Sequence, residues 1–306
     1  MMSHEIPDKH TIHFGLLPIG REFAFGDYVI HPVSNFNNVV DWLEEHVRHD
    51  GYVYPSTSCF ADETGKAIPN TITPGHLLRV PASHELRRID GKELTITSDN
   101  EAYFIVLAIG LLYDIRLTYH RWWHDGRVFY GRYIRGDSYG HVADHFLETA
   151  LSTWQQMKPS SQQIIIRSIW MHLRTKAYRW DFDQFQTAYM VIDAIYRTLC
   201  EERSIKAASR HRDRLECVAT ELGVHCDSER FARIVDIRNP LIHEVKWNNG
   251  LPGTVTGDEG LQASLWLPRL NKRLLVALLG YTNKFVTTSW WTMGNYYFDR
   301  LDHAPN

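Results

Sequence analysis

The stretch FARIVDIRNPLIHE, residues 231–244, decides how the C-terminal part of this chain is read. It looks like one arm of a helical hairpin, started by Ser228-Glu229, and it carries Arg238 and His243 five positions apart with the polar Asn239 directly after the arginine. On a continuous α-helix five residues turn the chain by about 500°, which leaves the two side chains roughly 140° apart. Pro240 alters that expectation. It cannot donate to the carbonyl of Asp236, so it either kinks the helix or ends it. In the second case Asn239 caps a new helix and Pro240 takes its first turn. Both routes bring Arg238 and His243 toward one cleft.

Such a cleft suits one kind of chemistry. Histidine both takes and gives a proton near neutral pH, and arginine is a permanently charged fork that fits phosphate oxygens. Together they can cut RNA without a metal: a base draws the proton from a ribose 2′-OH, the oxygen attacks its own phosphate, and the arginine holds the charge that develops. DNA has no such hydroxyl and survives. The spacing by itself is not specific, because Arg79 and His84, and Arg167 and His172, repeat it, and Arg135 and His141 differ by one residue. Context separates them. Arg79 lies in a loop-like, proline-bearing stretch, Arg135 among Gly131, Gly136 and Gly140, and Arg167 in a helix beside Trp170 and Met171, where it reads as packing.

Residues 182–285 resemble a HEPN domain, the all-helical superfamily defined by an arginine, a polar residue that is often asparagine, a few further residues and a histidine. The arrangement is most similar to the Apea-like HEPN domains of bacterial defence proteins. Residues 182–202, FDQFQTAYMVIDAIYRTLCEE, resemble the long first helix, and FARIVDIRNPLIHE the motif helix. The resemblance implies a homodimer whose Arg/His pairs face a shared cleft, and a metal-independent ribonuclease acting on RNA. His243 would then be the general acid/base, Arg238 the phosphate clamp, and Asn239 a helix cap that orients or touches the phosphate. Two departures stand out. Glu244 occupies a place where glycine is frequent, and no tyrosine follows two residues after His243.

At 306 residues, 44% hydrophobic and 12% aromatic, the chain has ample material for a packed core in two domains or one large one. The longest apolar run, Tyr103 to Tyr113, is too short to cross a bilayer. No membrane partner and no secretion signal are expected. Cys59, Cys200, Cys217 and Cys226 form neither a C-x-x-C pair nor a disulfide framework, which fits a reducing, cytoplasmic setting. Net charge is −3, which argues against avid nucleic-acid binding by the chain as a whole. The charge is uneven, however. Residues 1–150 hold 13 Lys and Arg against 20 Asp and Glu, and residues 151–306 hold 20 against 16, so the modest basic excess lies in the half with Arg238 and His243.

Along the chain, HTIHFGLL, EFAFGDYVIH, GYVYPSTSCF and ELTITS have strand character, and NFNNVVDWLEEHVRHD reads as a short helix capped by Asn35 or Asn37. No phosphate-cradling glycine loop is present, so no nucleotide cofactor is expected. Residues 100–119 read as a buried helix passing into a strand at Ile115, and Asp125-Gly126 as the turn of a hairpin that includes RVFYGRYI. From about residue 140 the chain turns helical, with a break at Lys158-Pro159-Ser160-Ser161. Phe182, Phe185, Tyr189, Ile192, Tyr196 and Leu199 then form an apolar stripe. RSIKAASRHRDR reads as a polar linker, Gly223 as a helix end, and SLWLPRLNKRLLVALLGYTNKF as a final helix with Pro268 in its first turns.

The expected fold is therefore α+β: a small mixed α/β sensor or regulatory domain over 1–140, open to a phage or host trigger, and an all-α HEPN-type bundle over 141–306 with its core at 182–285. Rival sites exist. His141 and His145 have a zinc-compatible i,i+4 spacing but lack the metalloprotease glutamate, and His120 and His124 flank two tryptophans. Trp290, Trp291, Tyr296 and Tyr297 could stack bases or close a C-terminal seam. The alternative to a nuclease is a non-catalytic HEPN dimerisation or ligand-binding module, in which Arg238 pairs with Asp236 or Glu244 and His243 packs between helices.

Overall fold

The computed structural model describes residues 10–55, 59–61, 67–69, 77–95, 97, 100–119, 124–131, 139–140, 142–249, 251–253 and 258–291. It divides into two compact units, Met1–Gly140 and His141–Asn306. A mixed α/β region is thus followed by a largely helical one.

In the first unit the elements are β1 (Thr11–Gly15), β2 (Phe23–Phe25), β3 (Tyr28–Pro32), α1 (Phe36–His46), β4 (Tyr52–Val53), β5 (Cys59–Ala61), β6 (Ala67–Pro69), β7 (Leu77–Leu78), β8 (His84–Arg88), α2 (Glu101–Tyr113), β9 (Thr118–Tyr119), β10 (His124–Asp125) and β11 (Val128–Phe129). Five of the strands form an antiparallel sheet in the order β2-β3-β8-β1-β9. Alternation shows why β8 belongs there despite its charged sequence HELRR. His84 and Leu86 are buried, while Glu85 and Arg87 point the other way, so one face is apolar and the other wet. His84 is a satisfied core histidine: Nε2 lies 3.0 Å from the Ile19 carbonyl and Nδ1 2.9 Å from Ser83 Oγ, and Phe14 and Phe36 flank the ring. Burial pushes its pKa down to about 4, which keeps it neutral.

Helix α2 is buried along nearly its whole length, as its unbroken apolar sequence requires, and Asn100 caps it by accepting from the Tyr103 N–H at 3.1 Å. Several expectations change here. The following strand starts at Thr118 rather than Ile115. Asn35 stands at the cap position of α1 but makes no side-chain cap bond. Residues 91–95 form no strand. Asp125-Gly126 does not close a hairpin, because β10 pairs with β7 and β11 with β4.

The second unit contains α3 (Ala143–Gln156), α4 (Pro159–Arg174), a 3-10 turn at Thr175–Ala177, α5 (Asp181–Arg203), α6 (His211–Glu221), α7 (Ser228–Glu244), a hairpin of β12 (Trp247–Asn248) and β13 (Leu251–Pro252), α8 (Asp258–Leu278) and α9 (Lys284–Thr287). Helix α5 packs against α4, α6, α7 and α8. Its apolar stripe faces inward, with Phe185, Tyr189, Ile192, Tyr196 and Leu199 buried and Phe182 only half so. Pro268 lies in the interior of α8 instead of its first turns, since that helix begins six residues before Ser264. Trp290 is fully buried, stacked on Phe231 at 5.6 Å, and is a core seam rather than a base-stacking platform. Tyr296, Tyr297, His120, Arg135 and His141 lie outside the described residues. No described helix is long and apolar enough to cross a membrane.

Candidate functional site

Helix α7 positions the Arg238 site. Asp227 caps it by accepting from the Arg230 N–H at 3.0 Å, and Phe231, Ile234, Ile237 and Leu241 recur at helical spacing and are buried. The helix runs on through Pro240 to Glu244, so the proline neither ends it nor starts a second one. Tertiary burial of residues on both sides of the proline outweighs the loss of one helical hydrogen bond. Val245 closes the helix in the left-handed region at φ 53, and the Lys246 N–H reaches back to the Pro240 carbonyl at 3.1 Å. The β12–β13 hairpin then folds against α7. Gly253 makes that approach possible, because a Cβ there would stand 3.3 Å from Ile237 Cγ2 and its φ is +78°.

Arg238 and His243 meet on this unbroken helix. Arg238 Nη1 donates to His243 Nε2 at 2.9 Å and to Asn239 Oδ1 at 3.1 Å, the long side chain covering the about 1.4 turns that separate the two residues. Because Nε2 accepts, the imidazole in this arrangement is neutral and carries its proton on Nδ1. Asn239 sits inside the helix, where it holds the guanidinium instead of capping a second helix. The Arg238 guanidinium carbon also lies 5.5 Å from the centre of the Tyr189 ring on α5. None of these partners is a carboxylate. Arg238 Nε is buried without a hydrogen bond, while Asn239 and His243 are exposed. Glu244 forms an ion pair with Lys246, and Trp247 stacks on Phe182 at 5.2 Å rather than covering His243.

No protein-family model, curated protein or solved structure matches this chain.

Two neighbours complete the Arg238 site, and neither is marked as a site residue by the sequence. The sequence pattern puts Tyr189 in the apolar stripe and His211 in a polar linker. His211, the first residue of α6, has Nδ1 3.0 Å from Tyr189 Oη and 4.0 Å from Asp193 Oδ1. Burial, Arg238, Arg214 and His243 lower its pKa, and Asp193 opposes them. Burial raises the Tyr189 phenol well above its ordinary value, so its proton stays on. The only hint of His211 in the sequence is its place directly before a helix-forming run.

The other Arg/His pairs are not assembled in this way. Arg167 is exposed and His172 buried on α4, and Arg79 is exposed whereas His84 lies in the sheet core. His145 packs its ring against Tyr281, with 5.8 Å between centroids, and His124 is buried with its pKa lowered by desolvation. Among the described residues no group of three or more His, Cys, Asp or Glu stands ready to hold a metal ion.

Proposed function

We propose that this chain is a metal-independent endoribonuclease of HEPN type that acts as a homodimer. In this reading Arg238 binds the scissile phosphate and stabilises its developing charge, Asn239 orients the guanidinium, and His243 transfers a proton during attack by the ribose 2′-OH. The observation that supports it most is that, among the described residues, the partners of Arg238 are neutral: an amide oxygen, an imidazole nitrogen and a phenol ring. An anion can take over donors that no carboxylate occupies, and in doing so it releases His243 Nε2. Defence against phage, or toxin action, with residues 1–140 sensing a phage or host trigger, belongs to the same proposal and is supported by the resemblance alone.

The test is cleavage of labelled RNA in EDTA by the intact protein, with a substrate carrying a single 2′-deoxy position as control. Cutting of the all-ribose strand and survival of the modified linkage are expected. The second reading, a non-catalytic dimerisation module, is favoured by the carboxylate of Glu244 next to His243. Its pairing with Lys246 offsets that charge. A non-catalytic module would leave both strands intact while R238A and H243A kept the oligomeric state of the parent.

A further inference from the structure

We propose that His211 is a second catalytic imidazole of the Arg238 site, acting as the base toward the 2′-OH while His243 of the same protomer acts as the acid toward the leaving 5′-oxygen. This rests on the ribonuclease reading and changes its anatomy. A homodimer would hold two complete sites instead of two half-sites.

The chain of contacts is short. His211 Nδ1 is 3.0 Å from Tyr189 Oη, the Tyr189 ring lies 5.5 Å from the Arg238 guanidinium carbon, and Arg238 Nη1 is 2.9 Å from His243 Nε2. Two imidazoles from different helices thus converge on one guanidinium through a single phenol ring. His211 keeps 23% of its side chain exposed, enough for a substrate to reach the ring. Its tautomer follows from its neighbours. Asp193 stands one turn along α5 from Tyr189, with Oδ1 4.0 Å from Nδ1, and a carboxylate on that side favours a proton on Nδ1. The phenol oxygen accepts the same proton. Nε2 is left with its lone pair, as a base requires.

The charges facing His211 agree with that role. Arg214 on α6, Arg238 on α7, the positive end of α6 itself and, whenever it carries a second proton, His243 disfavour the imidazolium, and among the described residues Asp193 on α5, shared with Arg214 at 3.8 Å, opposes them. His211 therefore stays neutral near pH 7. His243 begins as the acceptor of an Arg238 N–H; a phosphate that takes that donor frees Nε2, the atom that carries the proton delivered in this assignment. In the step so assigned, the 2′-oxygen bonds to phosphorus as its proton passes to His211 Nε2. The bond from phosphorus to the 5′-oxygen breaks, and that oxygen leaves with the proton from His243 Nε2. Proton exchange with solvent restores both rings.

The test uses the full chain and H211Q and H211N, with melting temperature as the check on folding. Expected is a loss of about 10²- to 10⁴-fold in kcat with little change in KM, and disappearance of the acid limb that the assignment predicts for the intact protein below pH 6.5 in kcat/KM. Retention of that limb in folded variants would overturn the assignment. An equal mixture of H211Q and H243Q should stay inactive; recovery toward about a quarter of wild-type activity would place the two imidazoles on different protomers. A measurement without catalysis separates this idea from the ribonuclease reading. In NMR titrations the His211 resonance, identified by its absence in H211Q, should shift to a higher midpoint in R238A. An unchanged midpoint removes His211 from the site. A shifted midpoint with no RNA cut by any form leaves the contact standing and overturns the catalytic role together with the ribonuclease reading.

Discussion

Arg230 and Arg238 lie eight residues apart on α7 and do opposite things with the same charge. Arg230 forms an ion pair with Asp227, and its guanidinium carbon lies 5.4 Å from the Trp266 ring and 4.3 Å from Trp291. A carboxylate neutralises it and two indoles hold it. Among the described residues Arg238 has one phenol ring, one amide oxygen and one imidazole as partners, and no carboxylate. A charge already satisfied builds the fold; a charge left with neutral partners can bind something that arrives. The residue type is the same at both ends, and only the neighbours distinguish structure from function.

The contrast can be broken by substitution. R238A and H243A should each lower RNA cleavage by about 10²- to 10⁴-fold, with stability changed by less than about 1 kcal/mol, read from initial rates and chemical denaturation. Phe231, fully buried against Trp290 beside Arg230, should show the reverse pattern: F231A is expected to cost about 3–5 kcal/mol of stability, with activity per folded molecule kept. R230A removes one ion pair and two cation–π contacts and should cost about 1–3 kcal/mol in the same denaturation assay. If R230A instead abolished cleavage while leaving stability intact, the distinction between the two ends would fail.

Asp227 sharpens the comparison through pH. Burial pushes its carboxyl up, but the Arg230 backbone N–H and guanidinium outweigh this and hold it below its ordinary 3.8. A carboxyl whose folded pKa is depressed stabilises fully above its unfolded value and loses that contribution as pH falls through the folded one. D227A should therefore cost about 1 kcal/mol at pH 7, and the gap to wild type should close on acidification below about pH 4 in urea melts. The smallest effect is expected at Val245, a β-branched residue held at φ 53. V245G should raise stability by about 1 kcal/mol or less by relieving that backbone, visible as a small rise in melting temperature.

Local pattern and tertiary capture account for what the sequence revealed. The order of a mixed region followed by helices, the stripe on α5 and the start of α7 were readable because each depends on spacing within one element. Arg238, Asn239 and His243 were readable as a group because they are neighbours in the chain. Strand β8 was not, since HELRR becomes a strand only when its alternate residues are buried between β1 and β3. ELTITS has the stronger strand composition, yet its described residues, 93–95 and 97, form no strand. Pro268 misled because the helix it belongs to begins in the unpromising run Asp258-Glu259-Gly260. His211 was hidden for a related reason: its partner Tyr189 lies 22 residues earlier, and nothing local marks the contact.

The central claim, that an unneutralised Arg238 and its histidine direct a 2′-OH onto phosphorus, is tested most directly by the chemical ends of the cut RNA. Digestion in EDTA followed by end-group analysis should give 2′,3′-cyclic phosphate on one fragment and 5′-hydroxyl on the other. Fragments bearing 5′-phosphate would mean that water was the nucleophile and would contradict the account.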